Sequence, residues 1–436
     1  MTTTAAQSAE AGELRRSVRL KSIIGGSAGN LIEWFDWYVY SSFALYFAGA
    51  FFPKGDQTAQ LLDSAAVFAV GFLMRPIGAW IMGLYADRAG RRAALTLSVA
   101  MMCGGSLAVA AIPTYAQIGA LAPALLVIVR MIQGLSLGGE YGASAAYLSE
   151  VASRKHRGFW ASFQYVTLIS GQLLALAVLL VLQAHLGDKA LHAWGWRIPF
   201  VVGAVLALSV FWLRRGIVET EAFQKASAAV GSSSRMLAFL KRPKESLLVV
   251  GLTAGGSLAF YCYTTYMQKF LANTAGFTKD KASLITAGAL LVYMLVQPLF
   301  GALSDRVGRR PMLIAFGVLA MLATYPLMSA IGATHDAVQA FALILTALLI
   351  VSCYTAISGL VKAELFPAEI RVLGVALPYA IGNSVFGGSA EYVALWFKQQ
   401  HHEAWFYIYV SGMAGLALMV ALIMHDTGKN SLIVED

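Results

Sequence analysis

Charge is scarce in this sequence. Asp, Glu, Lys and Arg make up 13% of its 436 residues, against roughly 25% in an ordinary soluble domain. So few ionised groups cannot cover a water-facing surface of that size, which excludes most of the chain from water. Cysteine is scarcer still. Cys103, Cys262 and Cys353 lie far apart, each inside an apolar run, so they make no metal-ligand spacing and offer no obvious disulfide. There is no H-E-x-x-H pair and no strand-borne nucleophile elbow, so the chain is read as a non-enzyme without a cofactor. The loops are too short for an appended signalling domain, which argues against a receptor. The first ~20 residues are polar and lack the apolar core and small-residue cleavage site of a signal peptide.

Apolar residues are abundant instead. They make up 58% of the chain, mean hydropathy is +0.67, and they fall in runs of about 20 residues or longer. A membrane β-barrel would need alternating segments of ~10 residues, so the expected fold is all-α with twelve transmembrane helices. The runs lie near 22–50, 61–84, 93–112, 121–149, 158–184 and 195–213, then near 246–271, 282–303, 311–331, 337–361, 373–397 and 405–425. The Ser- and Ala-rich stretch between them separates two six-helix bundles. The expected domains are a tail at 1–21, a bundle at 22–213, a linker at 214–245, a bundle at 246–425 and a tail at 426–436.

The net charge of +9 is a topology signal rather than a nucleic-acid footprint. With both termini placed in the cytoplasm, roughly 23 Lys and Arg fall on the cytoplasmic side and roughly 7 outside. That asymmetry predicts a multi-pass protein of the bacterial inner membrane.

A repeat supports the division into halves. Gly83-Leu-Tyr-Ala-Asp87-Arg88-Ala-Gly90-Arg91-Arg92 recurs as Gly301-Ala-Leu-Ser-Asp305-Arg306-Val-Gly308-Arg309-Arg310, half the chain later. Each copy closes the second span of its half, as in two-lobed alternating-access transporters built from parallel repeats. The glycines let helices approach closely, and the aspartates suit a nearby helix N-terminus. The arginines can pair with acidic residues at other helix ends, Glu150 or Glu364 for example, and so latch a gate shut. Positive-inside anchoring is the plainer reading, but it explains neither the Gly and Asp spacing nor the duplication.

Ionisable groups at mid-span cost ~2.5–3.5 kcal/mol each to insert, so their default reading is functional. In span one, Asn30, Glu33, Asp36 or Trp37, and Tyr40 recur at helical spacing as one polar stripe. Span two carries Arg75. Span four carries Arg130, with Gln133, Gly134 and Tyr141 on its face and Glu140 about a quarter turn away. Span eleven places Asn383, Gly387 and Glu391 together. Mutual neutralisation between helices is the plainer alternative. Gln164 and Thr167, Tyr261, Tyr263 and Gln268, and Thr355 and Ser358 either line a cavity or join helices. Lys269, near a span end, is expected to snorkel outward.

The duplicated gate loops and Arg130-Met-Ile-Gln133-Gly134 resemble the major facilitator superfamily. Glu33-Trp34-Phe35-Asp36 and Gly71-Phe-Leu-Met-Arg75-Pro76 resemble its metabolite:proton symporter branch. Within that branch, Gly138-Gly139-Glu140-Tyr141-Gly142, Trp194-Gly-Trp196-Arg197 and Phe386-Gly-Gly-Ser-Ala-Glu391-Tyr392 are similar to the α-ketoglutarate permeases. The chain departs from that group at Ala89, where the group has His. The resemblance implies the major facilitator fold and proton-coupled import of α-ketoglutarate or a related dicarboxylate. Symport of shikimate, citrate or a betaine-type solute, and uncoupled facilitation or exchange, stand as alternatives. Arg130 and Arg75 are the expected carboxylate ligands, since a planar fork binds carboxylate bidentately. Tyr40, Gln133, Tyr141, Gln164, Tyr261 and Gln268 are expected around them, with Glu33 and Asp36 carrying the coupling proton. The expected unit is a monomer in the bilayer that takes a small carboxylate and protons and no nucleic acid.

Overall fold

The structure is a computed structural model that describes residues 30–89, 91–136, 140–214 and 238–433, without the side chains at 83, 84, 86–95, 140, 143, 147, 151 and 210–214. The tail at 1–21, most of the linker and the side chains of Asp87, Arg88, Arg91 and Glu140 lie outside this description, as do the surroundings of Gly83.

Among the described residues every regular element is helical, and the helices follow the apolar runs. They are α1 (30–51), α2 (Gln57–Ala89), α3 (Arg91–Ala111), α4 (Leu121–Ser136 and Glu140–Val151), α5 (Arg157–Ala193) and α6 (Ile198–Arg214). The second half comprises α7 (Pro243–Asn273), α8 (Lys279–Val307), α9 (Arg309–Ala333), α10 (Ala337–Glu364), α11 (371–399) and α12 (Glu403–Ile423). Seven of these are both long and apolar enough to cross a bilayer, and those of α3, α4 and α6 are shorter apolar helices. A helix satisfies its own backbone, which is what hydrocarbon demands of any spanning segment.

Burial sorts the helices into layers. The apolar window of α7 is 78% buried, whereas those of α9 and α12 are each 33% buried. The central α7 therefore lines the middle of the molecule, while α9 and α12 turn leucines such as Leu322 and Leu422 outward to lipid. Residues 32–48 of α1 are buried without a break, so the Glu33–Tyr40 stripe is interior on every side. The halves meet along α5 and α8, and along α2 and the second segment of α4 against α11.

Two local features were not visible in the sequence pattern. The central helices α7 and α11 each contain a π-helical turn, at Cys262–Tyr266 and Asn383–Gly387, a device often found at functional sites. The run expected to end near 184 continues as α5 past a break at Gly187, where φ is 72°. The added turns carry Asp188 and His192.

Candidate functional site

Two buried arginines flank one indole. The Arg75 guanidinium lies 4.5 Å and the Arg130 guanidinium 4.0 Å from the centre of the Trp37 ring. Arg75 also stacks on Phe72 and Trp34, and Arg130 on Tyr40 at 4.5 Å. Packing of α1, α2 and α4 creates this arrangement. A Cβ at Gly71 would come 2.7 Å from the Trp37 ring, so the glycine of the Gly71-to-Arg75 motif makes room for the indole. Arginine suits this setting because its flat, weakly hydrated cation stacks on aromatic faces while its N–H edges remain free. Those edges are free here: Nε and Nη2 of both arginines, Trp37 Nε1 and Tyr38 Oη have no hydrogen-bond partner among the described residues. Buried donors without acceptors are costly, and six of them lie on Arg75, Arg130, Trp37 and Tyr38.

Asp36 connects to this pair indirectly. Gln133 Nε2 donates to Asp36 Oδ2 at 2.8 Å, and Arg130 Nη1 donates to Gln133 Oε1 at 3.0 Å. Ser106 of α3 donates a short hydrogen bond to Asp36 Oδ1 and receives one from Gln133 at 3.2 Å. The carboxylate thus faces α3 and α4 within its own half and reaches Arg130 through an amide. Glu33 is 5% exposed, on the same helix one turn before Trp37. Tyr40 Oη is held by the Ser64 carbonyl at 3.0 Å, so the ring under Arg130 is fixed. Asn30 bonds Thr167 and Trp34, which orients the second indole.

The other half supplies the facing wall. Tyr261 packs edge-on against Phe72 with centroids 5.5 Å apart, and Ser384 Oγ donates to the Phe72 carbonyl at 2.6 Å. Tyr261 Oη and both amide atoms of Asn383 have no hydrogen-bond partner among the described residues. Both side chains converge on Gly387, where a Cβ would meet Asn383 Oδ1 at 2.7 Å and the Tyr261 ring at 2.9 Å. Tyr261 immediately precedes one π-turn and Asn383 opens the other.

Other expected residues are structural in their contacts. Gln268 donates to Ser283 Oγ at 2.9 Å, joining α7 to α8, and Gln164 donates to the Tyr141 carbonyl at 3.2 Å. Both are inter-helix ties rather than free cavity groups. Tyr141 stacks on Tyr379 across the two halves, with ring centroids 3.5 Å apart and planes at 8°.

Lys269 does not snorkel. Its side chain is fully buried, and Nζ lies 2.7 Å from Glu391 and 2.6 Å from Ser41 Oγ. Charge pairing overrides the outward reach available to a lysine near a helix end, and the pair ties α1 to α7 and α11. A second buried lysine, Lys362 on α10, sits among the tyrosines Tyr141, Tyr354 and Tyr379. Among the described residues no group of His, Cys, Asp or Glu is arranged to hold a metal ion.

Both ends of the seam between halves are bridged. At the gate-loop end, Asp305 accepts the N–H groups of Gly158 and Phe159, at 2.8 and 3.0 Å, while Arg309 lies 2.9 Å from Asp305 and 3.9 Å from Glu364. Glu150 forms a close ion pair with Arg371, whose Nη2 also donates to the Leu432 carbonyl. Arg306 is exposed. Gly308 links α8 to α9 at φ 97°, a conformation that favours glycine. At the opposite end, Gln183 reaches Tyr46 Oη at 2.7 Å and Ser283 at 3.3 Å, and Lys279 reaches His192 at 2.6 Å.

Comparison with known proteins agrees with this architecture. Residues 22–246 match a family described as Sugar (and other) transporter, and residues 249–433 match the Major Facilitator Superfamily. The chain is 54% identical to the Alpha-ketoglutarate permease of Escherichia coli (strain K12), over 94% of this chain and 95% of that protein. It is 33% identical to the Citrate-proton symporter of Klebsiella pneumoniae, over 85% of this chain and 83% of that one. A solved proton:xylose symporter bound to 6-bromo-6-deoxy-D-glucose shares the fold with a TM-score of 0.74 at 18% identity, covering 96% of this chain and 98% of its own.

Proposed function

The chain belongs to the major facilitator superfamily, and on that premise we propose that it is a proton-coupled transporter importing α-ketoglutarate or a related dicarboxylate by alternating access. The observation that carries this reading is the buried pair Arg75 and Arg130 around Trp37, whose Nε and Nη2 donors have no hydrogen-bond partner among the described residues. A small dianion supplies acceptor oxygens for those donors. The activities for which the relatives are named, permeation of α-ketoglutarate and symport of citrate with a proton, support the same substrate class.

Proton coupling follows from the Asp36–Gln133–Arg130 chain. With Asp36 ionised, Gln133 donates to it and turns its carbonyl oxygen to Arg130. Protonation of Asp36 removes the reason for that orientation, and Gln133 then releases Arg130 Nη1 for a substrate carboxylate. Glu33, buried on the same helix, is the second carrier. Proton and dianion thereby load together, and inward proton flow drives accumulation.

Alternating access uses the bridges at the two ends of the seam. The gate loops lie on the cytoplasmic side of the inner membrane, as do both termini, and the monomer is the transporting unit. The experiment is uptake of labelled α-ketoglutarate into proteoliposomes, with and without an inwardly directed proton gradient, competed by succinate, citrate, shikimate and betaine. Uphill uptake that collapses with the gradient and yields to dicarboxylates supports the proposal. Uptake indifferent to the gradient makes the chain a facilitator or exchanger.

A further inference from the structure

Lys362 stands two residues before Glu364 of the gate-loop latch, close to the end of α10. A lysine so placed ordinarily extends its ammonium toward the head groups, yet this one turns inward. Its Nζ donates to Ser358 Oγ one turn back at 2.8 Å, to Tyr354 Oη two turns back at 3.3 Å, and across to Tyr141 Oη of α4 at 3.4 Å. The same ammonium lies over the rings of Tyr379, Tyr141 and Tyr354, at 4.4, 5.3 and 5.6 Å from their centres. The residue is 1% exposed, and among the described residues no carboxylate lies within ion-pair distance of it.

A cation held at membrane depth without a counter-ion is expensive, and such a group marks a substrate or ion pathway by default. Aromatic faces and hydroxyls offset part of the cost, but among the described residues no carboxylate matches the charge. The contrast with Lys269 is direct, since that ammonium has Glu391 at 2.7 Å. Two walls of the Lys362 cage, Tyr141 and Tyr379, come from opposite halves and stack on one another at 3.5 Å. Any parting of the halves at the gate-loop end must separate those rings. Separating the rings removes two of the aromatic faces that cover the ammonium.

We propose that Lys362 is a second carboxylate subsite, occupied by one end of the substrate after it leaves Arg75 and Arg130 and before it reaches the cytoplasm. The inference rests on the dicarboxylate-transport reading above and deepens it. The closed aromatic pair shields the cation while substrate sits centrally. The opened pair offers it to a carboxylate on the exit path, so that the two cationic stations hand over a dianion without leaving it bare in a low-dielectric channel. Lys362 then sets the affinity seen from the cytoplasmic face and not the affinity seen from outside.

The test measures α-ketoglutarate transport in proteoliposomes of determined orientation, with Lys362→Gln and Lys362→Arg beside the wild type. Lys362→Gln should raise the KM for substrate presented at the cytoplasmic face by about tenfold or more, the loss expected of a charge-assisted hydrogen bond. The outer-face KM should stay within about twofold, and Lys362→Arg should recover most of the loss. Equal shifts at both faces, or none at either, overturn the proposal. Absence of any α-ketoglutarate transport by the wild type would instead sink the underlying functional reading. If Lys362→Gln does not fold, acetylation of wild-type Lys362 by acetic anhydride, followed by mass spectrometry, gives a second readout. α-Ketoglutarate should slow that acetylation where an equal concentration of xylose does not, and identical rates with both contradict the subsite.

Discussion

Asp305, at the end of α8, caps a helix of the other half: its carboxylate accepts the backbone N–H of Gly158 at 2.8 Å. Phe159 donates to the same group at 3.0 Å, and Arg309 braces it from one turn away. An acid at a helix N-terminus satisfies orphan donors and complements the helix dipole, so this contact joins the halves by the same interaction that ends many single helices.

Replacing Asp305 with Ala should therefore favour the state open at the gate-loop end. Loss of such a cap is worth about 1 kcal/mol, which shifts a two-state population by about fivefold. A cysteine introduced at Ser162, with Cys103, Cys262 and Cys353 replaced, should react faster with a membrane-impermeant maleimide in the Asp305→Ala background. An unchanged labelling rate would show that Asp305 does not hold this end closed.

Arg130 tests the planar-fork requirement. Lysine keeps the charge but cannot stack flat between Trp37 and Tyr40 while offering parallel N–H bonds. Arg130→Lys should weaken α-ketoglutarate binding by about tenfold or more, nearly as severely as Arg130→Ala. Calorimetric titration showing wild-type affinity for the Lys variant would reduce Arg130 to a packing role.

The Lys269–Glu391 pair is expected to act as a structural tie between α1, α7 and α11. Removing one partner leaves a buried uncompensated charge, at about 3–5 kcal/mol. Thermal melting of purified Lys269→Met should fall well below the wild type, whereas Lys269→Met combined with Glu391→Leu should recover most of the loss. A double variant no more stable than the single one would contradict this assignment.

Glu33→Gln and Asp36→Asn address coupling. Each should abolish accumulation against a gradient while sparing counterflow exchange, because a permanently neutral carrier uncouples loading from proton supply. Retained uphill uptake in both variants would remove these residues from the coupling role.

Much of this was legible in the sequence because charge inside an apolar run has few innocent explanations. Arg75, Arg130, Glu33 and Asp36 stood out for that reason, and the duplicated Gly-Asp-Arg loops marked the ends of their helices. What the sequence concealed has physical causes. Lys269 and Lys362 lie near span ends, where a positive charge is already explained by topology, so only their inward rotamers reveal them. Trp37 fell on the expected stripe only as an alternative to Asp36, and its place between two guanidiniums was hidden, since a core aromatic and a stacking platform read alike. The π-turns at Cys262–Tyr266 and Asn383–Gly387 leave no periodic trace. Gln164 and Gln268 look like cavity groups by composition, yet they spend their amides on neighbouring helices.

The most direct test of the central claim is the number of protons bound together with substrate. Purified transporter in weakly buffered detergent solution, mixed with α-ketoglutarate in the presence of a pH indicator dye, should withdraw protons from solution as substrate binds. Glu33→Gln combined with Asp36→Asn should bind substrate without that uptake. Substrate binding by the wild type with no accompanying proton uptake at any pH would contradict the account.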